Sequence, residues 1–97
     1  MLRITLVRES ESPVMKLEGN LSGPWVDEVE HAWHKVSHDR PAKPVVVELS
    51  DVTFVSREGR KLLKSMLREG ADLQSRSLMT QFLVGEIKRN GTTRNGG

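Results

Sequence analysis

The run Val45-Val-Val-Glu-Leu49 is the tightest constraint on how this chain folds. β-Branched side chains lose rotamer freedom in a helix and pack well on a pleated surface, so three valines in a row favour a strand. A continuous apolar run, unlike an alternating one, suits a central strand covered on both faces. Such a strand needs further strands beside it and helices against it.

Both are present. Leu2, Ile4 and Leu6 alternate with Arg3 and Thr5, with Val7 and Arg8 following, which predicts a strand with one buried face. Glu9-Ser-Glu-Ser-Pro13 reads as a turn, and Val14–Glu18 as a second strand with Met15 and Leu17 on one side. Gly19-Asn20 and Ser22-Gly-Pro24 punctuate the next loop, with Pro24 suited to the first turn of a helix. From Pro24 to about Ser37, Trp25, Val26, Val29, Ala32, Trp33 and Val36 fall in one arc at helical spacing. Two prolines keep Asp39–Pro44 non-helical. After Val45–Leu49, Ser50-Asp51 is expected to break the strand before Val52-Thr-Phe-Val55. A second helix starts near Arg57, burying Gly59, Leu62, Leu63, Met66 and Leu67, and Gly70 ends it. Ala71–Arg76 is a short strand. Ser77 caps a last helix, about Leu78 to Arg89, that buries Met79, Phe82, Leu83 and Ile87. The expected architecture is one α/β domain over residues 1–89 in the order ββαβαβα. Residues 90–97 form a disordered tail, since they offer no apolar side chain to bury.

Composition limits the chemistry. With no cysteine among 97 residues, disulfides and thiol catalysis are excluded. No apolar run approaches the roughly 20 residues of a membrane span, and the N-terminus alternates too regularly for a signal peptide. A cytoplasmic protein is the expectation. The net charge of +2 is small for a nucleic-acid binder, and no aromatic side chain is interleaved with the cations for base stacking. No Gly-x-Ser-x-Gly elbow or phosphate-binding loop with a lysine is present, so no catalytic set, and no cofactor, is implied.

The stretch Val45-Val-Val-Glu-Leu-Ser-Asp-Val-Thr-Phe-Val-Ser-Arg-Glu-Gly-Arg-Lys-Leu-Leu63 resembles the STAS domains, named for sulfate transporters and anti-sigma factor antagonists. Leu17-Glu-Gly-Asn-Leu21 and Gly70-Ala-Asp-Leu73 fit the same pattern, and the likeness runs over about residues 2–89. It implies a STAS-like fold with a mixed sheet of four strands or slightly more, and a non-enzymatic protein-binding role. In the partner-switching members, an Asp-Ser-Ser-Gly loop opens the helix. A kinase that is also the anti-sigma factor phosphorylates the serine before the glycine. A phosphate adds about −1.5 to −2 charges and can disrupt an interface directly, while a helix N-terminus can satisfy its oxygens.

Here Ser56-Arg-Glu-Gly59 stands at that loop. Ser56 falls on the aspartate and Glu58 on the phosphoacceptor. Glu58 has no hydroxyl and carries a permanent charge. Two readings of it stand side by side: a fixed imitation of the phosphorylated state, or a favourable charge in the first helical turn. Ser56 is the remaining hydroxyl in the loop and the alternative candidate there for phosphorylation. The resemblance makes Ser56, Arg57, Glu58 and Gly59 the partner-binding loop. Arg57, Lys61, Lys64 and Arg68, with Arg60 beside them, lie on one face of the helix that follows. An acidic partner fits such a stripe, and solvation alone is the other reading of it. The implied partner is an anti-sigma factor or kinase-type regulator. Alternative roles are an accessory STAS subunit of a membrane transporter system and a metal- or nucleotide-sensing module. No metal site is assigned; the candidate stripe for one is Asp27, His31, His34 and His38 on the first helix, whose spacing could share a divalent ion, but a solvated face explains it without further assumption.

Overall fold

The computed structural model describes residues 1–7, 12–39, 41 and 43–93. Seven elements follow in the order expected: β1 (Leu2–Val7), β2 (Val14–Leu21), α1 (Pro24–His38), β3 (Val46–Val55), α2 (Arg57–Arg68), β4 (Asp72–Gln74) and α3 (Leu78–Thr93). Arg8, the tip of the predicted β1–β2 turn, Arg40 and Ala42 of the proline linker and the last four residues lie outside the described residues. α3 continues to Thr93, into the segment expected to be a tail.

The strands form one mixed sheet, ordered β1-β2-β3-β4. β1 and β2 are antiparallel, with Ile4 opposite Leu17 and Leu6 opposite Met15. β2–β3 and β3–β4 are parallel, and each parallel step is made through a helix, as a parallel crossover requires. Met15 and Leu17 of β2, Val47 and Leu49 of β3 and Leu73 of β4 point into one core with Val29, Trp33 and Val36 of α1, Leu62, Leu63 and Met66 of α2, and Val84 and Ile87 of α3. The helices therefore form a single layer. β3 is interior, as three valines predict, but it is covered on one face only. Val46 and Glu48, on the other face, are half-buried.

Two further expectations are corrected in the strands. Ser50-Asp51 does not break the strand; it forms a bulge within it. Lys16 and Glu18 of β2 pair with Glu48 and Asp51, so β3 carries one residue more than its partner. The Glu48 carboxylate holds the bulge by accepting the Ser50 N–H at 2.9 Å and the Ser50 hydroxyl. Ser50 Oγ in turn accepts the Arg76 N–H at 2.7 Å. One extra residue reverses the inside–outside alternation, which is why Val52, and not Asp51, is the next core residue after Leu49. β2 likewise runs three residues past its predicted end, to Leu21, so Gly19-Asn20 belongs to the strand and not to a loop. Gly19 has a φ of 107°, and a Cβ there would lie 2.3 Å from the Met1 carbonyl oxygen. That same carbonyl accepts the Asn20 N–H at 2.9 Å.

The helices end as their sequences dictate. Gly70 N–H donates to the Leu67 carbonyl and Ala71 N–H to that of Met66, with Gly70 at a φ of 108°; this is a Schellman termination. The adjacent Glu69 carboxylate accepts the indole N–H of buried Trp33 at 2.8 Å, tying α1 to the end of α2. α3 departs from expectation. Thr80, Val84 and Ile87 are buried, while Met79 and Phe82 are exposed. Ser77 does not cap the helix with its hydroxyl. Its carbonyl accepts the Gln81 N–H at 2.8 Å, and the Ser75 hydroxyl binds both the Ser77 N–H and Thr80 Oγ1. Those bonds turn Thr80 inward and set the helix about one residue out of the phase read from its apolar positions.

Candidate functional site

β3 passes into α2 without a loop. The Ser56 N–H donates to the Leu21 carbonyl at 3.0 Å, extending the contact with β2, and the Ser56 carbonyl accepts the Arg60 N–H at 2.9 Å, opening the helix. Ser56 is extended, and its hydroxyl accepts the Gly59 N–H at 3.1 Å. This is the side-chain N-cap that serine favours. Gly59 is the third helical residue and is buried against β2 and β3. A Cβ there would approach the Leu21 carbonyl oxygen to 2.8 Å and the side chains of Leu21 and Val55 to 3.0 Å. The loop's glycine thus serves close packing of helix on sheet. Ser56→Ala is expected to cost about 1 kcal/mol by removing the cap, measurable as a lower midpoint with an unchanged slope in urea.

Arg57 and Glu58, the first two helical residues, are exposed. Among the described residues Glu58 has no hydrogen-bond or ion-pair partner. At helical spacing it lies on the flank of α2 away from Arg60. Arg57, Arg60, Lys61 and Lys64 line a groove of about 430 Å³ with Glu86 and Ile87 of α3. Arg60 is partly neutralised by Glu86, with Nη2 3.4 Å from Oε1. Arg57, Lys61 and Lys64 make no ion pair among the described residues, and Lys64 is half-buried. Arg68, at the far end of α2, is exposed and does not line the groove. Four cations are therefore gathered between α2 and α3, with one carboxylate among them.

Elsewhere the predicted residues do not converge. Asp27, His31, His34 and His38 are exposed along α1, and among the described residues no three His, Asp or Glu side chains are placed to hold a metal ion. Trp25 is half-buried and packs against the core. No helix among the described residues is long and apolar enough to cross a membrane.

A feature not read from the sequence adjoins the basic groove. Thr53, Phe54 and Val55 of β3, Met79, Phe82 and Leu83 of α3, and Arg60 line a second groove of about 230 Å³. Phe54 faces outward because β3 bulges again. Gly19 and Asn20 pair with Val52 and Phe54, leaving Thr53 extra, so Val55, and not Phe54, packs on the core. The signal was present in α3, where Leu78, Met79, Phe82, Leu83, Val84 and Ile87 spread over too wide an arc for all to be buried.

No family model and no curated protein matches the chain. Solved structures do. The crystal structure of Mglu matches 75% of this chain at 19% identity and a TM-score of 0.61, and Mglu in its native form matches the same share at 19% identity and 0.58. The chain spans only 19% and 22% of those two chains. The STAS domain of an anti-sigma factor antagonist from Rhodobacter sphaeroides matches 76% of this chain and 84% of its own length, at 18% identity and a TM-score of 0.53. At such identities the likeness is one of fold: a single α/β domain of the STAS type, with a four-stranded mixed sheet and ββαβαβα order.

Proposed function

We propose that this chain is a non-enzymatic regulatory module that works by binding another protein, in the manner of an anti-sigma factor antagonist. Its working surface is the Ser56–Gly59 junction and the basic face of α2. The observation that carries this reading is the set of cations, Arg57, Lys61 and Lys64, that have no ion-pair partner among the described residues, on the helix that opens at the β3–α2 junction. The core is complete without them, and an acidic partner would neutralise them.

Glu58 occupies the position that carries the phosphoserine in partner-switching relatives. A carboxylate there is a charge that no kinase adds and no phosphatase removes, so binding through this surface is not gated at residue 58. Near the α2 N-terminus it also stabilises the helix by about 0.3–1 kcal/mol. The partner, on this reading, is an anti-sigma factor or a related kinase-type regulator.

The test begins with affinity capture from the native cell and mass spectrometry. The captured partner is then measured against Lys61→Glu/Lys64→Glu. Charge reversals on a helix surface change stability by roughly 0.5 kcal/mol or less, so circular dichroism should match the parent. Affinity should fall at least about tenfold at low salt, with the difference shrinking as salt rises. A folded variant that binds as tightly as the parent at low salt would remove this surface from the proposal.

A further inference from the structure

The basic groove and the apolar groove meet at Arg60, which lines both. Phe54, Met79 and Phe82 are 54%, 62% and 67% exposed. With an aromatic side chain presenting roughly 150–250 Å², the three together expose apolar area on the order of 350 Å², the size at which a patch on a monomer is often functional. Leu78, 84% exposed on the first turn of α3, extends the apolar surface of that helix. Immediately beside it stand the cations of α2.

We infer that this composite surface receives an acidic amphipathic helix of a partner protein, with apolar side chains seated among Phe54, Met79 and Phe82 and carboxylates along Arg57, Lys61 and Lys64. The inference rests on the protein-binding role proposed above and specifies the chemistry of the partner. A helix with apolar residues at three- and four-residue spacing presents one apolar strip, and acidic residues along its margin would lie over the cations. Charge selects this occupant over a second copy of the chain. Another copy would bring the same cations, and the carboxylate beside its own patch, Glu86, is already paired with Arg60. Thr53, Phe54, Val55, Met79, Phe82 and Leu83 line a groove that the side chains of one helix can enter, and the vesicles in the experiment below separate this occupant from an anionic lipid surface.

The probe is a synthetic helix-forming peptide with leucines along one face and glutamates along its margin. It is compared with a scrambled peptide of the same composition and with vesicles of phosphatidylcholine and phosphatidylglycerol. Titrated into the full ¹⁵N-labelled chain, the amphipathic peptide should shift the amides of Phe54, Met79 and Phe82 together with those of Arg57, Lys61 and Lys64, and the scrambled one should not. Phe54→Ala/Phe82→Ala, at two exposed positions the fold tolerates, should weaken binding about tenfold and leave its salt dependence unchanged. Lys61→Glu/Lys64→Glu should weaken binding and flatten its salt dependence. If the apolar variant binds like the parent while the charge variant does not, this inference fails and the protein-binding reading of the basic face stands. If neither variant matters, both fail. Equal binding of the two peptides, no binding of either, preferential binding to vesicles, or self-association that shifts the same apolar amides on concentration would each overturn it.

Discussion

Gly59→Val is expected to destabilise the fold by about 3 kcal/mol, the upper end of the usual range for overpacking. The reason lies in what the new side chain would meet. Its Cβ would stand 2.8 Å from the Leu21 carbonyl oxygen, a backbone atom of the interior strand β2, and 3.0 Å from Leu21 Cγ and Val55 Cγ1. A flexible side-chain end could move aside, but a carbonyl in the sheet cannot do so without shifting the strand, so α2 must lift from its seat. Better helix propensity returns only a few tenths of a kcal/mol. The sign of the effect is specific to this position. Gly85, within α3, has nothing within 4 Å of an added Cβ, so Gly85→Ala should be neutral or stabilising by up to about 1 kcal/mol. Urea denaturation of the two variants reads both signs. A Gly59→Val protein as stable as the parent would show that α2 does not sit this closely on β2 and β3.

The elements whose burial follows a simple period are legible in the sequence. α1 and α2 each present one narrow apolar arc, and both fold as that arc requires, with α2 ending at Gly70 as read, whereas the Ser56 cap emerges only in the structure. β3 is legible as an interior strand but not in its detail. Its two bulges depend on pairing with β2 and on the contact of Ser50 with Arg76, 26 residues away, which lie outside any local window. The same limit explains the one-sided cover of β3: a run of valines reports a central position but not how many helical layers lie over it. Only Glu48, placed within the run, hinted at a wetter face.

The candidate site divides along the same line. The basic stripe follows from helical spacing alone, and the structure gathers Arg57, Arg60, Lys61 and Lys64 into one groove. The apolar groove beside it was legible only as an excess of apolar residues on α3, not in its place or its lining. It needs the second bulge to turn Phe54 outward and the Ser75–Thr80 contacts to rotate Met79 and Phe82 away from the core. Both are long-range or polar details that hydrophobic periodicity does not encode. Thr80 is the instructive residue: a helix phase read from apolar residues alone leaves this buried hydroxyl out.

Leu63→Ala is expected to lower stability by about 3–4 kcal/mol, and with it the melting temperature by roughly 15–25 °C. Leu63 is fully buried and faces the sheet from the middle of α2. Removing its branch leaves a cavity in a layer that helices cover from one side only, so few side chains can move in to fill it. A domain of this length has a total stability of about 5–15 kcal/mol, so the variant should remain folded at low temperature if the parent lies in the upper part of that range. Its value is in what it separates. Lys61, Leu63 and Lys64 are near neighbours in sequence, yet α2 turns Leu63 to the core and the two lysines to the groove. Leu63→Ala, measured well below its melting temperature, should bind the captured partner within about twofold of the parent, because the folded population still presents the basic face; Lys61→Glu/Lys64→Glu should melt like the parent and bind at least about tenfold more weakly. Thermal melts and affinities measured on both variants would show the two losses falling on different proteins. Should Leu63→Ala lose affinity as steeply as the charge reversal while still fully folded, the surface would have to be shaped by the core beneath it, and the division of α2 into an anchoring face and a working face would be wrong.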